Sequence, residues 1–240
     1  MDPYFRVETI VATSRPNRAI YVAMHQDYCE DFAIDDVPQL SDEEFGEIIV
    51  KRLLKGERGH YGCLEHVQIA LNCGWFPHSV MQQARTHRTG ISFDVQSGRY
   101  TGKRVVQVVE GTRDVEEVFY LRPVGTYTDR NGAKYEYTED KRKIDRIMCI
   151  DSAGRYMLSI REGLSEEHAR DQLPYCLRQH FVVSFNLRSA LHFMDLRAKL
   201  DAQLEIRQMC ELVWPHIVEW APEVAAWYEK ARMHKARLAP

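Results

Sequence analysis

The sequence lacks the motifs of several common function classes. It has no Walker A loop, no G-x-G-x-x-G turn and no G-x-S-x-G elbow, which disfavours the glycine-loop nucleotide binders and the α/β-hydrolases. It also has no apolar run long enough for a membrane span and no basic-then-apolar leader. These absences predict a cytoplasmic protein.

Positive charge is not in excess either. The 240 residues include 32 Lys+Arg and 35 Asp+Glu, a net charge of −3, whereas a general nucleic-acid binder usually carries a strong positive excess. Any anion site must therefore be local. The 6 cysteines form no CxxC pair and stand beside no histidine cluster at zinc spacing. We expect reduced core thiols and no metal site.

The spacing of hydrophobic residues and the positions of glycine and proline predict strands early in the chain and helices later. This is an α+β arrangement. We expect one domain over residues 1–240, with a mixed or antiparallel sheet, several helices and a hairpin insertion at about 120–145. Asn131-Gly132 is typical of a type I′ turn at the tip of that hairpin. The predicted elements are a strand at 6–13, a helix after the Ser41 capping box, a strand from 67, and helices at about 77–88, 165–173, 186–213 and 216–235.

The stretch ARTHRTGISFDVQSGRY, residues 84–100, is read as a helix end followed by an ordered loop. Its cations alternate with hydroxyl and amide side chains, and only Asp94 within it can neutralise them. Hydroxyls, free backbone N–H groups and arginine forks suit a phosphate or a carboxylate. The alternative is a polar loop whose arginines pair with surface acids.

A second polar concentration lies at 186–206. On a helix, Arg188, His192 and Asp195 share one face. The alternative is a solvated face on which Arg188 pairs with Asp195. Arg170 is a further candidate, because it stands on a predicted helix that is otherwise acidic.

A protein nucleophile is disfavoured. Ser97 and His87 have no acid placed to orient the histidine, so a Ser-His-Asp hydrolase has little support. Cys63 lies between two histidines at 60 and 66, which would fit a thiol site. We favour the structural interpretation, a small buried residue in a turn.

Four segments, taken in order, resemble the motifs of the flavin-dependent thymidylate synthases. His87-Arg88 and Ser97-Gly98-Arg99-Tyr100 resemble the family signature, and Gly59-His60 through Glu65-His66 resembles its N-terminal histidine motif. Arg170 with Leu173-Pro174 is similar to its middle arginine helix. The C-terminal helix is represented by Asn186–Leu191, Asp195–Ala198, Ala202-Gln203 and Glu205-Ile206.

The chain departs from the signature at four points. Thr86 replaces an arginine, with Arg85 as the neighbouring cation, and one residue is inserted between Arg88 and Ser97. Val95 stands where a glutamate is common, and His192 where an asparagine is common.

The resemblance implies a fold, an activity and an assembly. Members of this family are α+β homotetramers that bind FAD where subunits meet. They methylate dUMP to dTMP, with 5,10-methylenetetrahydrofolate as the carbon donor and NADPH as the reductant of the flavin, which then supplies the hydride.

The resemblance also implies roles for individual residues. Arg197 is the catalytic candidate, because the matching arginine faces the uracil. His66 is expected near the flavin and the folate, with a structural histidine as the alternative. The cofactor-binding candidates are Gln68, Thr86, His87, Arg88, Val95, Asn186, Leu187, Arg188, His192 and His66. The substrate-binding candidates are Gln83, Ala84, Arg85, Thr86, Val95, Gln96, Ser97, Gly98, Arg99, Arg170 and Arg197.

Two other functions stay open at this point. One is a nucleotide- or RNA-binding protein without redox activity, although the basic loop offers only Phe93 and Tyr100 for base stacking. The other is a homologue that has lost its activity and persists as an assembly protein.

Overall fold

A computed structural model describes residues 1–56, 59–129 and 131–235. The chain divides into two compact units, and their residue ranges interleave along the sequence. Unit 1 consists of Met1–Arg6, Cys73–Ala84 and Asp94–Phe181. Unit 2 consists of Val7–Asn72, Arg85–Phe93 and Val182–Pro240. The prediction of a single domain with an inserted hairpin stays a prediction.

The secondary structure confirms the predicted α+β class. The strands are β1 (Arg6–Ala12), β2 (Gln68–Pro77), β3 (Ile91–Val95), β4 (Gly125–Thr128), β5 (Lys134–Tyr137) and β6 (Arg178–Asn186). One sheet has the strand order β1-β2-β6-β3, and a second pairs β4 with β5. The helices are α1 (Pro16–Gln26), α2 (Asp42–Ile49), α3 (His78–Ala84), α4 (Lys103–Val109), α5 (Val115–Val118), α6 (Glu139–Arg161), α7 (Glu166–Arg170), α8 (Leu187–Arg197), α9 (Leu204–Trp220) and α10 (Pro222–Ala231). Short 3₁₀ segments cover Ala33–Asp36 and Tyr61–His66, and a π-helical turn covers Val50–Leu54.

The local signals at the start of α2 and α7 are confirmed. The Ser41 hydroxyl accepts from the Glu44 N–H at 3.2 Å, and the Glu44 carboxylate accepts from the Ser41 N–H at 2.7 Å. These two bonds form the capping box that satisfies N–H groups at the helix start. The Ser165 hydroxyl likewise accepts from the His168 N–H and caps α7.

The predicted helix at 77–88 is wrong at both ends. Pro77 is the last residue of β2, and α3 covers only His78–Ala84. The segment read as a loop beyond it contains β3, because Ile91, Phe93 and Val95 alternate with exposed Ser92 and Asp94. This alternation suits a half-buried strand.

Further elements also differ from the predictions. The charged stretch after the hairpin opens the 23-residue helix α6, and the predominantly helical region predicted after Ser165 contains β6. The helix predicted at 186–213 is interrupted at 198–203, so α8 and α9 are separate. Pro215 lies inside α9 and does not separate two helices.

In unit 1, α4, α5 and α6 enclose an apolar core. Its fully buried members include Val118, Phe119 and Ala153. Arg178 is also buried, but its charge is compensated, because its guanidinium donates to both carboxylate oxygens of Asp2 at 2.8 and 3.1 Å. Carbonyl oxygens of Trp75 and Glu116 accept its other N–H groups. Arg178 is therefore a structural residue, because breaking one partner of a buried pair is strongly destabilising.

The predicted hairpin forms, but its turn is not type I′. β4 and β5 are antiparallel, with Tyr127 opposite Tyr135. A type I′ hairpin turn has two residues between its paired positions, whereas Asp129 pairs with Ala133 here. The Asp129 N–H donates to the Ala133 carbonyl at 2.8 Å, and the Gly132 N–H donates to the Asp129 carbonyl at 3.1 Å. The Asp129 carboxylate instead accepts from the N–H groups of Asn131 and Ala133, each at 2.8 Å. Arg130 lies outside the described residues.

All six cysteines are free thiols. Cys63 is buried and its thiol donates to the His60 carbonyl, as the structural interpretation expected. Burial raises the pKa of the Cys63 thiol to about 11, which disfavours the reactive thiolate. Among the described helices, none combines the length and apolar character needed to cross a bilayer.

Candidate active site

In unit 2, the turn at 85–90 is fastened to the start of α8. The Gly90 carbonyl accepts from the Asn186 N–H at 3.0 Å, and the Thr89 carbonyl accepts from the Ser189 hydroxyl at 2.7 Å. Gly90 has φ +65°, and a Cβ there would collide with the Asn186 amide and the Ser189 hydroxyl. Glycine is therefore needed for this close approach.

Asn186 caps α8. Its Oδ1 accepts from the Ser189 N–H at 2.8 Å, and the side chain is buried. Leu187 is fully buried, whereas His192 is half-buried on the same helix. Asn186 and Leu187 therefore contribute to helix geometry whether or not a ligand touches them.

Three predicted site residues meet at the end of α8. Arg197 Nε donates to His87 Nε2 at 2.9 Å, and Arg197 Nη2 donates to the Thr86 hydroxyl at 3.0 Å. His87 is only 8% exposed and lies edge-on to Phe193, with ring centroids 5.0 Å apart. Burial, followed by the Arg197 charge and then His192, lowers the pKa of His87 to about 4. His87 is therefore neutral near pH 7 and accepts the arginine N–H.

The predicted pairing of Arg188 with Asp195 is wrong. Arg188 Nη1 instead donates to Glu65 Oε1 at 2.6 Å. This ion pair joins α8 to the segment that carries His66, and both members are about one-third exposed. His66 is exposed, which does not suit the alternative of a core histidine.

Asp195 is buried and belongs to a second polar cluster, with Tyr228 and Arg232. The Tyr228 hydroxyl donates to Asp195 Oδ1 at 2.6 Å, and Arg232 Nη2 donates to Oδ2 at 3.1 Å. Burial raises the pKa of Tyr228, and the Asp195 carboxylate raises it further. This cluster holds α8 against the C-terminal helix α10. Its member on α8, Asp195, lies two residues before Arg197.

In unit 1, the second half of the predicted signature forms a tight turn beside Arg170. The Ser97 carbonyl accepts from the Tyr100 N–H at 3.1 Å and from the Thr101 hydroxyl at 2.9 Å. A Cβ on Gly98 would lie 3.4 Å from Arg170 Cδ, so the arginine stem runs against this turn. The structure thus brings Ser97, Gly98, Arg99 and Arg170 together.

Arg99 has an acidic partner that the sequence did not reveal. Its Nε lies 2.9 Å from Glu167 Oε1, and both side chains are about half exposed. An exposed pair of this kind contributes little to stability. A phosphate could therefore replace Glu167 at small cost. Gln96 is fixed by the neighbouring strand, because its N–H donates to the His180 carbonyl at 2.9 Å.

Arg104, near the start of α4, is a site candidate that the sequence did not single out. It is 8% exposed, and its Nε has no hydrogen-bond partner in the described part of the chain. Burial, and then the charge of Arg113, lower the pKa of Arg104 to about 10. A buried cation without a carboxylate is costly, and an anion would compensate it. The residues that follow Arg104 in the sequence, -VVQVV-, are mostly apolar and did not indicate a site.

The remaining predicted residues lie at the ends of strands and helices or in the turn at 85–90. Gln68 is exposed at the start of β2, and Val95 is half-buried at the end of β3. Gln83 and Ala84 end α3, with Ala84 buried, and Arg85 and Arg88 are exposed in the turn that follows.

Comparison with known proteins gives consistent matches over most of the chain. The family model described as "Thymidylate synthase complementing protein" matches residues 9–223. A flavin-dependent thymidylate synthase of Halobacterium salinarum is 30% identical over 251 residues, covering 98% of this chain and 100% of the relative. Its counterpart in Haloarcula marismortui is 31% identical over 248 residues, covering 98% of this chain and 99% of the relative.

Solved structures with the same fold extend this similarity. The UMP/dUMP methylase PolB of Streptomyces cacaoi, bound with 5-Br dUMP, has a TM-score of 0.73 at 20% identity, covering 98% of this chain and 97% of that one. Thymidylate synthase X of Helicobacter pylori, with FAD and dUMP, has a TM-score of 0.67 at 16% identity, covering 95% and 98%. At these identities the structural matches support the fold alone.

Proposed function

The chain belongs to the family of thymidylate synthase complementing proteins, and from this premise we propose that it is a flavin-dependent thymidylate synthase. The reaction is the reductive methylation of dUMP to dTMP. We propose FAD as the cofactor, 5,10-methylenetetrahydrofolate as the carbon donor and NADPH as the source of the hydride. The names of the curated relatives support the activity and the flavin.

The residues in unit 2 fit an anionic dinucleotide. The turn at 85–90 carries exposed Arg85 and Arg88, and α8 adds Arg188 at its N-terminal end. A helix N-terminus and arginine forks both favour a pyrophosphate. We assign Arg88, Arg188 and the N-terminus of α8, together with Gln68, Thr86, His87, Asn186 and His192, to FAD, and Arg85 to dUMP. When bound, the reduced flavin supplies the hydride.

The residues in unit 1 fit the phosphate and sugar of dUMP. Ser97 offers a hydroxyl, and Arg99 and Arg170 offer two cationic groups beside the Gly98 backbone. Arginine binds a phosphate in a bidentate manner that matches its planar geometry. We therefore assign residues 95–99 and Arg170 to the nucleotide.

One observation carries the proposed mechanism: Arg197 is held by two neutral acceptors, Thr86 and His87. An arginine does not lose its proton in proteins, so it cannot act as a base. Because His87 is neutral, it fixes the guanidinium without cancelling its charge. Arg197 is then oriented to stabilise negative charge that develops on the pyrimidine as the hydride arrives. No serine or cysteine nucleophile is needed.

We further propose a homotetramer with its active sites where subunits meet, as the resemblance implies. In such an assembly one ligand would draw on residues of more than one chain. The cytoplasmic location stays a prediction.

The test is an absorbance spectrum of the purified protein, followed by anaerobic addition of NADPH and dUMP. Oxidised-flavin bands that bleach on reduction, and dTMP formed when methylenetetrahydrofolate is added, are the expected results. A protein that is colourless and takes up no added FAD would contradict the proposal and favour nucleotide or RNA binding without redox activity. Bound flavin with no dTMP under any ligand combination would instead indicate a homologue that has lost activity.

A further inference from the structure

We propose that His25, Cys29 and Asp36 form a binding site for a divalent transition-metal ion of the Zn²⁺ type. One ligand atom from each side chain lies within 4.8 Å of the other two, and His25 Nε2 is 2.9 Å from Asp36 Oδ2. All three residues belong to unit 2. They lie outside the residues assigned to FAD and dUMP, so this proposal does not depend on the proposed function.

Two anchored elements bring these ligands together. His25 lies in the last turn of α1, and its ring stacks on Tyr21, with centroids 5.5 Å apart and an interplanar angle of 21°. Tyr21 is itself packed against Phe45 in the core. The imidazole is therefore held in a defined orientation, as metal-binding histidines require.

Asp36 is carried by the 3₁₀ segment Ala33–Asp36. Ala33 is fully buried, and the Asp35 N–H donates to the Phe32 carbonyl at 2.9 Å. The segment is thus fixed at its start, with Asp36 directed back to the end of α1. Cys29 follows α1 after a turn in which the Tyr28 N–H donates to the His25 carbonyl at 3.0 Å.

The types of ligand select the ion. Imidazole, thiolate and carboxylate together suit Zn²⁺ or Co²⁺, whereas Mg²⁺ and Ca²⁺ prefer oxygen ligands alone. Bond lengths of about 2.0–2.3 Å place tetrahedral ligands roughly 3.3–3.7 Å apart. Small side-chain rotations would bring the three atoms to these distances. Three protein ligands leave a fourth position for water.

The local charge also favours a dication. Residues 27–36 include Asp27, Glu30, Asp31, Asp35 and Asp36, and the chain has no lysine or arginine between Arg18 and Lys51. The sequence analysis predicted no metal site, because these three ligands lie four and seven positions apart and form no zinc motif. A bound ion would connect the loop at 27–36 to α1.

The test is a titration of the purified holoenzyme with Co²⁺ alone, after reduction of its thiols and removal of metals with a chelator. Difference spectra cancel the flavin absorbance and report the thiolate-to-cobalt charge-transfer band. We expect one Co²⁺ per chain, displaced by Zn²⁺. Cys29→Ser should abolish the band, and His25→Gln and Asp36→Asn should each weaken binding by at least about 10–100-fold.

Asp35→Asn is the matched control, because it removes the same charge from the adjacent residue of the 3₁₀ segment. It should change the affinity by no more than a few-fold. Equal weakening by Asp35→Asn and Asp36→Asn would mean diffuse attraction to an acidic loop and would overturn the site. The absence of a thiolate band in the wild-type protein would overturn it as well. Circular dichroism of each variant without metal checks that the fold is retained, because Cys29 and Asp36 are not core residues.

Discussion

Arg197 combines a permanent charge with hydrogen bonds to two neutral acceptors, His87 and Thr86, and this arrangement gives a prediction for catalysis. In the proposed mechanism, Arg197→Ala removes the charge that stabilises the pyrimidine, so turnover should fall by about 10²- to 10³-fold. The flavin should remain bound, because most residues assigned to FAD are unchanged. The flavin absorbance per chain and the initial rate of dTMP formation measure the two effects.

Lys199→Ala is the control for Arg197→Ala, because it removes a cation just beyond the end of α8. It should leave turnover within a few-fold of the wild type. Near-normal turnover in Arg197→Ala would remove the catalytic assignment, and loss of FAD would make Arg197 a cofactor-binding residue.

The lowered pKa of His87 gives a prediction for stability against pH. The native pKa is about 4, below the ordinary value of 6.5 that the unfolded chain should have. Between these values the unfolded chain takes up a proton that the native protein does not, so the free energy of unfolding falls as pH falls from 6.5 towards 4. The loss due to His87 should be at most about 2 kcal/mol at pH 5.

His87→Gln isolates this contribution, because glutamine keeps an acceptor for Arg197 but does not titrate. Urea unfolding at pH 7 and pH 5 should show a smaller loss of stability in the variant than in the wild type. Equal losses in the two proteins would mean that the native pKa of His87 is not lowered, so that His87 begins to protonate near neutral pH and is a weaker acceptor for Arg197.

At the scale of elements, the end of α8 is held by α10 through a buried polar cluster. Tyr228→Phe removes the 2.6 Å hydrogen bond to Asp195 and leaves a buried carboxylate oxygen with one donor fewer. The free energy of unfolding should fall by about 1–3 kcal/mol. Chemical denaturation at pH 7 measures it.

Tyr127→Phe is a matched comparison, since the Tyr127 hydroxyl donates to the Pro123 carbonyl, also at 2.6 Å, but on the surface. Removing the Tyr127 hydroxyl should lower the free energy of unfolding by less than about 0.5 kcal/mol. If the free energy of unfolding falls equally in Tyr228→Phe and Tyr127→Phe, the buried cluster does not hold α8 in place.

The elements that the sequence predicted are those with a short-range cause. The Ser41 capping box and the alternation from Val67 onward depend on neighbours within a few residues, and the structure confirms both. The strand β6 was missed although Phe181, Val183 and Phe185 are buried in alternation with half-buried neighbours. The run -FVV- puts apolar residues on both faces, which obscures the alternation in the sequence. The helix α6 was missed because its first turns are almost entirely charged.

The site shows the same limit. The signature placed Ser97, Arg99 and His87 among the candidates, and the C-terminal helix motif placed Arg197 there, because the residue types and their order are local properties. Their partners are remote: Glu65 is 123 residues from Arg188, and His87 is 110 residues from Arg197. No spacing rule connects such pairs, so the two acceptors of Arg197 could be identified only from the structure.

At the scale of the whole molecule, the proposed tetramer needs a subunit interface, and α6 offers a candidate face. Ile144, Ile147, Met148 and Leu158 are 54–61% exposed, and helical spacing places them on one side. Large apolar side chains grouped in this way commonly mark a protein–protein contact.

We therefore predict that Ile147→Glu with Met148→Glu shifts the protein from a tetramer to smaller species, because buried carboxylates in an interface lack partners. Light scattering after gel filtration measures the mass, and FAD content should fall with it if the sites lie between subunits.

The control is Val124→Glu, the same kind of change at an exposed residue outside α6. It should leave the mass and the FAD content unchanged. An intact tetramer in the double variant would place the interface elsewhere, whereas smaller species that keep their FAD would place the flavin site within one chain.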